Sequence, residues 1–280
     1  MDLQSGRGEV FLDLGLAIEV TRQMGRGFGE AMVAWLGRHV RFDHCVIFGY
    51  RGALRPPVLF ETFSPAESQV FVALYQEGPY LLDPFHHAAV DRRQGFWRMR
   101  ELAPDRFYAS EYYRSYYSQT ELAEEVGFFV PLAGKDALVL SLMRLQASGP
   151  FGTADVRLLR DLSPVVIGLC RLRWPELPIV EPSVRATQDT RLPVNDFDRS
   201  HIWESLSLTV REVQIVDMVL QGHSTESIAR ALGVASGTVK VHRRNIHRKL
   251  NIKSQAGLFA RFIEIIGAQT GKSDRSGGLT

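Results

Sequence analysis

Residues 207–250 read SLTVREVQIVDMVLQGHSTESIARALGVASGTVKVHRRNIHRKL, and their spacing decides the architecture. Thr209-Val210-Arg211-Glu212 has the Thr-x-x-Glu spacing of a capping box, which satisfies orphan amides at a helix start. Behind it Val213, Ile215, Val216, Val219 and Leu220 form an apolar face, and Gly222 supplies a helix stop. A second, short helix is predicted from Thr225 to Leu232, with Ile228, Ala229 and Leu232 inward. Gly233 then stands where a tight inter-helix turn needs a positive φ. The third helix, Gly237 to Leu250, separates two chemistries by angle. Val239, Ile246 and Leu250 share one stripe, while Lys240, Arg243, Arg244, His247 and Arg248 occupy the rest. A fourth, Ser254 to Ile266, carries Leu258, Phe259, Phe262, Ile263 and Ile266. That is more apolar surface than one short helix needs over a small trihelical core, and the surplus predicts a dimer seam.

This stretch resembles the LuxR-type (GerE-type) helix-turn-helix regulators. The match rests on Leu208-Thr209-x-Arg211-Glu212, Gly222-x-Ser224, Ile228-Ala229-x-x-Leu232, Thr238-Val239-Lys240-x-His242 and Asn245-Ile246-x-x-Lys249-Leu250. The resemblance implies a four-helix domain whose third helix enters the major groove of double-stranded DNA and whose fourth pairs across a two-fold axis. The partner it implies is an inverted-repeat operator bound by a homodimer, with RNA polymerase as a further partner. Carried over by position, Lys240, Val241 and Arg244 become the base readers. Thr238, Arg243, Lys249, Lys253 and Ser254 become phosphate contacts. Ala235 stands where the family usually has Ser, which shifts the expected cap and phosphate contact to Ser236. Ser227 stands where Glu is usual, with Glu226 one position earlier.

Charge agrees with this division. Residues 207–266 carry nine Lys and Arg against four Asp and Glu, five of the cations lying between Lys240 and Lys249, whereas residues 1–180 carry 19 against 21. A basic module on a mildly acidic body points to a polyanion partner for the module alone. The stretch 174–206, with Pro175, Pro178, Pro182 and Pro193, has linker chemistry, and 267–280 reads as a Gly- and Ser-rich tail. The expected organisation is therefore a domain over 1–173, a linker, a helix-turn-helix domain over 207–266 and the tail. No apolar run reaches the roughly 20 residues of a membrane span, and no secretory leader is evident, so a cytoplasmic location is expected.

Before the linker, the pattern predicts an α+β fold in which an antiparallel sheet carries helices on both faces, an α-β-α sensor-like domain. Helices are expected over Leu12–Val40 (split near Gly25, Gly27 and Gly29), Glu67–Gln76, Pro84–Asp91 and Ala154–Arg171, the last with Thr153 as N-cap. Strands are expected at Cys45–Tyr50, Pro57–Phe63, Gly95–Arg100, Gly127–Leu132 and Ala137–Gln146. The acidic pair, later Asp and Lys of a phosphorylated receiver cannot be placed. Tyr75, Tyr80, Asp83-Pro84-Phe85 and Trp97 instead resemble, loosely, the autoinducer-binding domain that often precedes this helix-turn-helix. That resemblance implies a ligand pocket lined by a Tyr, the Asp and a Trp.

Tyr108, Tyr112 and Tyr116 share one face of a predicted helix. They read either as core or as pocket wall, so Tyr108 and Tyr112 join the candidate pocket residues. With Asp83, such a pocket suits an amine- or amide-bearing effector, held by a carboxylate and ring faces. The alternative is a protein-interaction module with no small-molecule ligand. His86-His87, His39 and His44 lack a third ligand at metal spacing, Cys45 and Cys170 lack the spacing of a zinc site, and no Gly-x-Ser-x-Gly elbow is present. Neither cofactor, metal nor enzymatic activity is expected.

Overall fold

The computed structural model describes residues 27–178 and 206–271. The expected helix before Gly27, most of the linker and the end of the tail lie outside these residues. The first module is a five-stranded antiparallel sheet of order β2-β1-β5-β4-β3. Its strands are β1 (His44–Arg51), β2 (Val58–Glu61), β3 (Gly95–Arg98), β4 (Leu122–Pro131) and β5 (Asp136–Leu145). The period-2 alternation of side chains divides the core in two. Cys45 and Ile47 of β1, Val126, Phe128 and Val130 of β4, and Leu138, Leu140 and Leu142 of β5 face one layer. There they pack against α1 (Phe28–Gly37) and the long helix Thr153–Arg173. Val46, Phe48, Tyr50, Phe129, Val139 and Met143 face the other layer. The α-β-α layering expected from the sequence is thus observed.

The helical elements of that second layer are short and irregular. Pro65–Ser68 (α2), capped by Ser64, passes directly into a π-helical segment, Gln69–Leu74. A 3-10 turn, Pro79–Leu82, precedes α3 (Pro84–Val90), where Asp83 is the N-cap and accepts from the Phe85 N–H at 2.8 Å. After β3 the chain turns at once into α4 (Met99–Leu102), because the Glu101 carboxylate accepts the Arg98 N–H at 3.0 Å. The strand therefore stops short of the expected Arg100. The tyrosine-rich stretch is broken into a 3-10 turn (Phe107–Ala109), α5 (Glu111–Ser115) and another 3-10 turn (Tyr117–Thr120), rather than forming one helix.

Three further boundaries depart from the sequence reading. β4 begins at Leu122, five residues before Gly127, so Glu124 and Glu125 are strand residues. The long helix, α6 (Thr153–Arg173), has Gly152 rather than Thr153 as its N-cap. The Asp155 carboxylate reaches back to accept the Gly152 N–H at 3.0 Å. Past its end, Trp174 and Leu177 remain buried, Trp174 edge-on to Phe28 at 5.1 Å, so the chain is still packed where linker chemistry was expected to begin.

The second module holds α7 (Val210–Gln221), α8 (Thr225–Leu232), α9 (Ser236–Lys249) and α10 (Gln255–Gly271). The ends of α7 and α8 are those the sequence prescribes. Thr209 and Glu212 form both halves of the capping box, and Gly222 (φ 99°) and Gly233 (φ 65°) close α7 and α8 in the left-handed conformation. Helix α10 continues past Gly267, where a tail was expected. One interior glycine costs a helix only about 1 kcal/mol, and the burial of Leu258, Phe262 and Ile266 secures the turns before it.

Candidate functional site

Two sites can be built from these elements. The first is α9. Val239 and Ile246 are buried and anchor the helix to the module, which leaves the opposite face to solvent. Lys240, Val241 and Arg244 are exposed, Val241 at 52%, and their positions i, i+1 and i+4 place them on one outward face. A half-exposed valine between two cations suits groove insertion better than solvent, since it offers a methyl-sized apolar contact beside hydrogen-bond donors.

The flanking polar residues divide into free and engaged. Thr238, Lys253 and Ser254 are exposed, and Ser254 Oγ also accepts the Gly257 N–H at 3.1 Å. Ser236 is the first helical residue of α9 but not its cap. Ala235 holds the cap position with no side-chain hydrogen bond, which leaves the Ser236 and Gly237 amides to face an anion, while the Thr238 amide donates to the Ala235 carbonyl at 3.0 Å. Arg243 turns toward Thr225 Oγ1 at 3.3 Å. Lys249 donates to Glu212 Oε2 at 2.7 Å and to the Ser207 carbonyl at 3.0 Å. Its charge thus balances a buried carboxylate inside the module, and its side chain ties α9 to the start of α7.

The second site is a buried cavity of about 30 Å³ beneath the sheet, room for little more than a water molecule. Of the seven residues expected at a pocket, Tyr75, Asp83 and Tyr112 line it. Tyr80 and Phe85 stand beside it, Tyr80 with its hydroxyl donated to the Ala53 carbonyl at 2.8 Å, Phe85 edge-on to Phe129 at 5.0 Å. Trp97 lies away from it on the edge strand β3, with Arg93 over its ring at 4.7 Å and its indole N–H on the Gln94 carbonyl. Tyr108 points outward, 57% exposed, because the 3-10 turn shifts it out of phase with Tyr112 and Tyr116.

Asp83 has the more settled environment of the cavity's two carboxylates. It accepts the Tyr75 hydroxyl at 2.6 Å and the Phe85 N–H at 2.8 Å, and Tyr75 in turn lies 3.1 Å from the Tyr50 hydroxyl. Burial nevertheless pushes its carboxyl up to about 6 against those hydrogen bonds. The second carboxylate, Glu125, is one the sequence reading missed. An acidic doublet, Glu124-Glu125, reads as solvated surface, but each member is buried. Glu124 pairs with Arg98 at 2.6 Å, while Glu125 lines the cavity beside Ser141 of β5. Burial, reinforced by the charge of Asp83, raises the Glu125 carboxyl to about 8. The period-2 phase running back from Phe129 through Gly127 was the signal that could have placed Glu125 on the inner face.

The two modules are joined by contact. The Arg106 N–H donates to the Gly222 carbonyl at 2.9 Å, and the Ser224 N–H donates to Asp105 Oδ1 at 2.9 Å. A Cβ on Gly222 would lie 2.9 Å from Phe107 Cα, and one on Gly78 would lie 3.2 Å from Ile266 of α10. Part of the apolar surplus of α10 is therefore absorbed within the chain. Phe259 is half-buried and Ile263 38% exposed. Among the described residues no group of His, Cys, Asp and Glu could hold a metal ion, and no helix is long and apolar enough to cross a membrane.

Comparison with known proteins agrees with the helical module. Residues 206–261 match the family described as bacterial regulatory proteins, luxR family. An HTH-type transcriptional regulator from the exeN 3' region of Aeromonas salmonicida is 32% identical over 189 residues, 65% of this chain and 93% of that protein. Among solved structures, the VqsR LBD domain from Pseudomonas aeruginosa is 27% identical, covering 59% of this chain and 96% of that one, with a TM-score of 0.49. Escherichia coli SdiA is 18% identical, covering 96% and 98%, with a TM-score of 0.40. Its capped three-helix core, its exposed basic α9 and its likeness to the Aeromonas protein over nearly that protein's whole length agree: the chain belongs to the LuxR family of helix-turn-helix transcriptional regulators, DNA-binding proteins rather than enzymes.

Proposed function

We propose that the chain is a cytoplasmic, homodimeric regulator that reads an inverted-repeat operator through Lys240, Val241 and Arg244 and engages RNA polymerase there, under the control of a small molecule in its first module. The observation that carries the DNA half is the outward face of α9, where three exposed residues stand on a helix whose other side is buried. Thr238, Ser236, Arg243, Lys253 and Ser254 supply phosphate contacts that fix register, since backbone contacts position while base-edge contacts specify. Lys249 joins them only by sharing its charge with Glu212. Arg244→Ala is expected to weaken operator binding about tenfold or more, from the roughly 1–3 kcal/mol of a base-edge contact, and to relax preference at one base position. Binding measured over a set of single-base operator variants checks this; unchanged specificity removes Arg244 from the readers.

The ligand half rests on the cavity at Asp83, whose lining residues are all buried, a feature that favours a metabolite over a partner protein, which would need an exposed apolar patch. At about 30 Å³ the cavity is small, so a ligand of more than a few atoms enters by displacing side chains that line it, among them those of the Tyr112–Tyr117 segment. That segment follows directly on the residues in contact with Gly222 and Ser224. Ligand entry and the seating of the DNA-binding module are thereby coupled through one short stretch of chain. Thermal-shift screening of amines, amides and acyl lactones tests this reading. Asp83→Ala is expected to weaken any hit by tenfold or more, the loss of a hydrogen bond to a charged group. Identical responses from the two proteins exclude Asp83 from the site.

A further inference from the structure

From the charge and wall chemistry of the cavity we infer that it is built for an organic ammonium ion, which divides its N–H donors between Asp83 and Glu125. This rests on the reading of the cavity as a ligand site. Two carboxyl groups line it, from different elements, and no Lys, Arg or His is among the described residues that do so. The cavity is thus a buried space with two acids and no cation of its own. Uncompensated buried carboxylates are costly, and a positive ligand is the complement that removes the cost.

The walls are independent of the acids and point the same way. The rings of Phe48, Tyr75 and Tyr116 line the space, with Tyr75 4.9 Å from Phe48 and 5.8 Å from Tyr116 between centroids. Aromatic faces attract a desolvated cation and also cover its carbon body. The two acids have separate tasks. Asp83 is held by Tyr75 and by the start of α3, so its position is fixed before a ligand arrives. Glu125 faces the Ser141 hydroxyl, diagonal to it across the β4–β5 ladder. A neutral ligand is served by one fixed carboxylate; a second buried acid is an expense that a cation repays.

Protonation supports the assignment. With its carboxyl raised to about 8 by burial and by the charge of Asp83, Glu125 is mostly neutral at pH 7 in the empty cavity. Burial pushes the tyrosines facing it, Tyr50, Tyr75, Tyr112, Tyr116 and Tyr117, further up, so they remain protonated. His86 stands behind Tyr50, its ring 5.5 Å away, and is not part of the lining. An entering ammonium ion therefore converts Glu125 from acid to carboxylate and expels one proton, with Asp83 the only other acid able to contribute at that pH.

The test uses the full chain and two matched series, the primary amines from ethylamine to phenethylamine and the alcohols of the same carbon skeletons. Affinity is read by calorimetry at pH 7 in buffers of different ionisation enthalpy. Amines are expected to bind at least tenfold more tightly than their alcohols and to release protons, while alcohols release none. Glu125→Gln keeps the shape of the neutral acid and so preserves the fold. It should weaken amines about tenfold or more, the 1.4 kcal/mol or greater of a charge-assisted hydrogen bond, abolish most proton release and leave alcohols within about twofold. Equal binding of amines and alcohols, or amine binding indifferent to Glu125→Gln, overturns the ammonium assignment while leaving the cavity as a ligand site. Failure of both series to bind overturns the assignment and counts against the ligand site as well.

Discussion

Phe107→Ala is expected to destabilise the folded chain by about 3–5 kcal/mol, the range for truncating a fully buried aromatic residue. Phe107 is 0% exposed, and its ring meets Tyr108, Tyr112, Tyr113 and Tyr117 at centroid distances of 5.3–5.8 Å. Its backbone lies against Gly222 of the DNA-binding module. Removing the ring opens a void in the one cluster that serves both the cavity wall and the contact between modules. Neighbours cannot simply collapse into it, because Tyr112 and Tyr117 are themselves buried. The Arg106 and Ser224 amides, hydrogen-bonded across the contact, should lose hydrogen-exchange protection together. Phe107→Leu should recover most of the loss. Denaturant unfolding of the three proteins checks the energies, and a cost under about 1 kcal/mol for alanine would show that the ring is not the keystone of this contact.

The second large effect concerns pH. Glu125 carries a carboxyl raised from an ordinary value of 4.5 to about 8, by burial first and the charge of Asp83 second. The folded chain therefore holds its proton more tightly than the unfolded chain does. Stability is full below about pH 4.5 as far as this group is concerned, and falls as pH rises from there through about 8. Asp83, raised to about 6 by burial, adds a smaller slope of the same sign below that value. The two acids interact, so the protons leave in steps that belong to the pair. Integrated across the window, the loss is on the order of a few kcal/mol. Glu125→Gln, permanently neutral, should match the native chain near pH 5 and exceed its stability near pH 8.5. Denaturant curves at the two pH values settle the point: a constant difference between the proteins would mean that Glu125 titrates normally.

The second module was legible in the sequence because each of its helix ends is a local chemical event. Thr209 and Glu212 cap one helix, and Gly222 and Gly233 stop two by taking up the left-handed conformation locally. The strand core of the first module was legible for a similar reason, since Cys45–Tyr50 and Ala137–Gln146 are mostly apolar runs bounded by turn residues. Its site was less so. Trp97 and Tyr108 looked like pocket residues by spacing, yet an edge strand and a 3-10 turn aim them elsewhere. Glu125 went unread, because burying a carboxylate is a tertiary decision that composition opposes. Locally determined features could be read along the chain; features fixed by what lies across the sheet could not.

Gly222 carries a consequence for how such a chain can change over generations. Its φ of 99° ends α7, and the absence of a side chain admits the backbone of Phe107. Two demands, a turn inside one module and a close fit to the other, thus fall on one codon. A substitution there cannot adjust either without disturbing both. Inheritance of this glycine with the DNA-binding module would carry one closely fitted point of the mating surface along with it, so a module exchanged between relatives that share it would arrive already shaped at that point for its new neighbour.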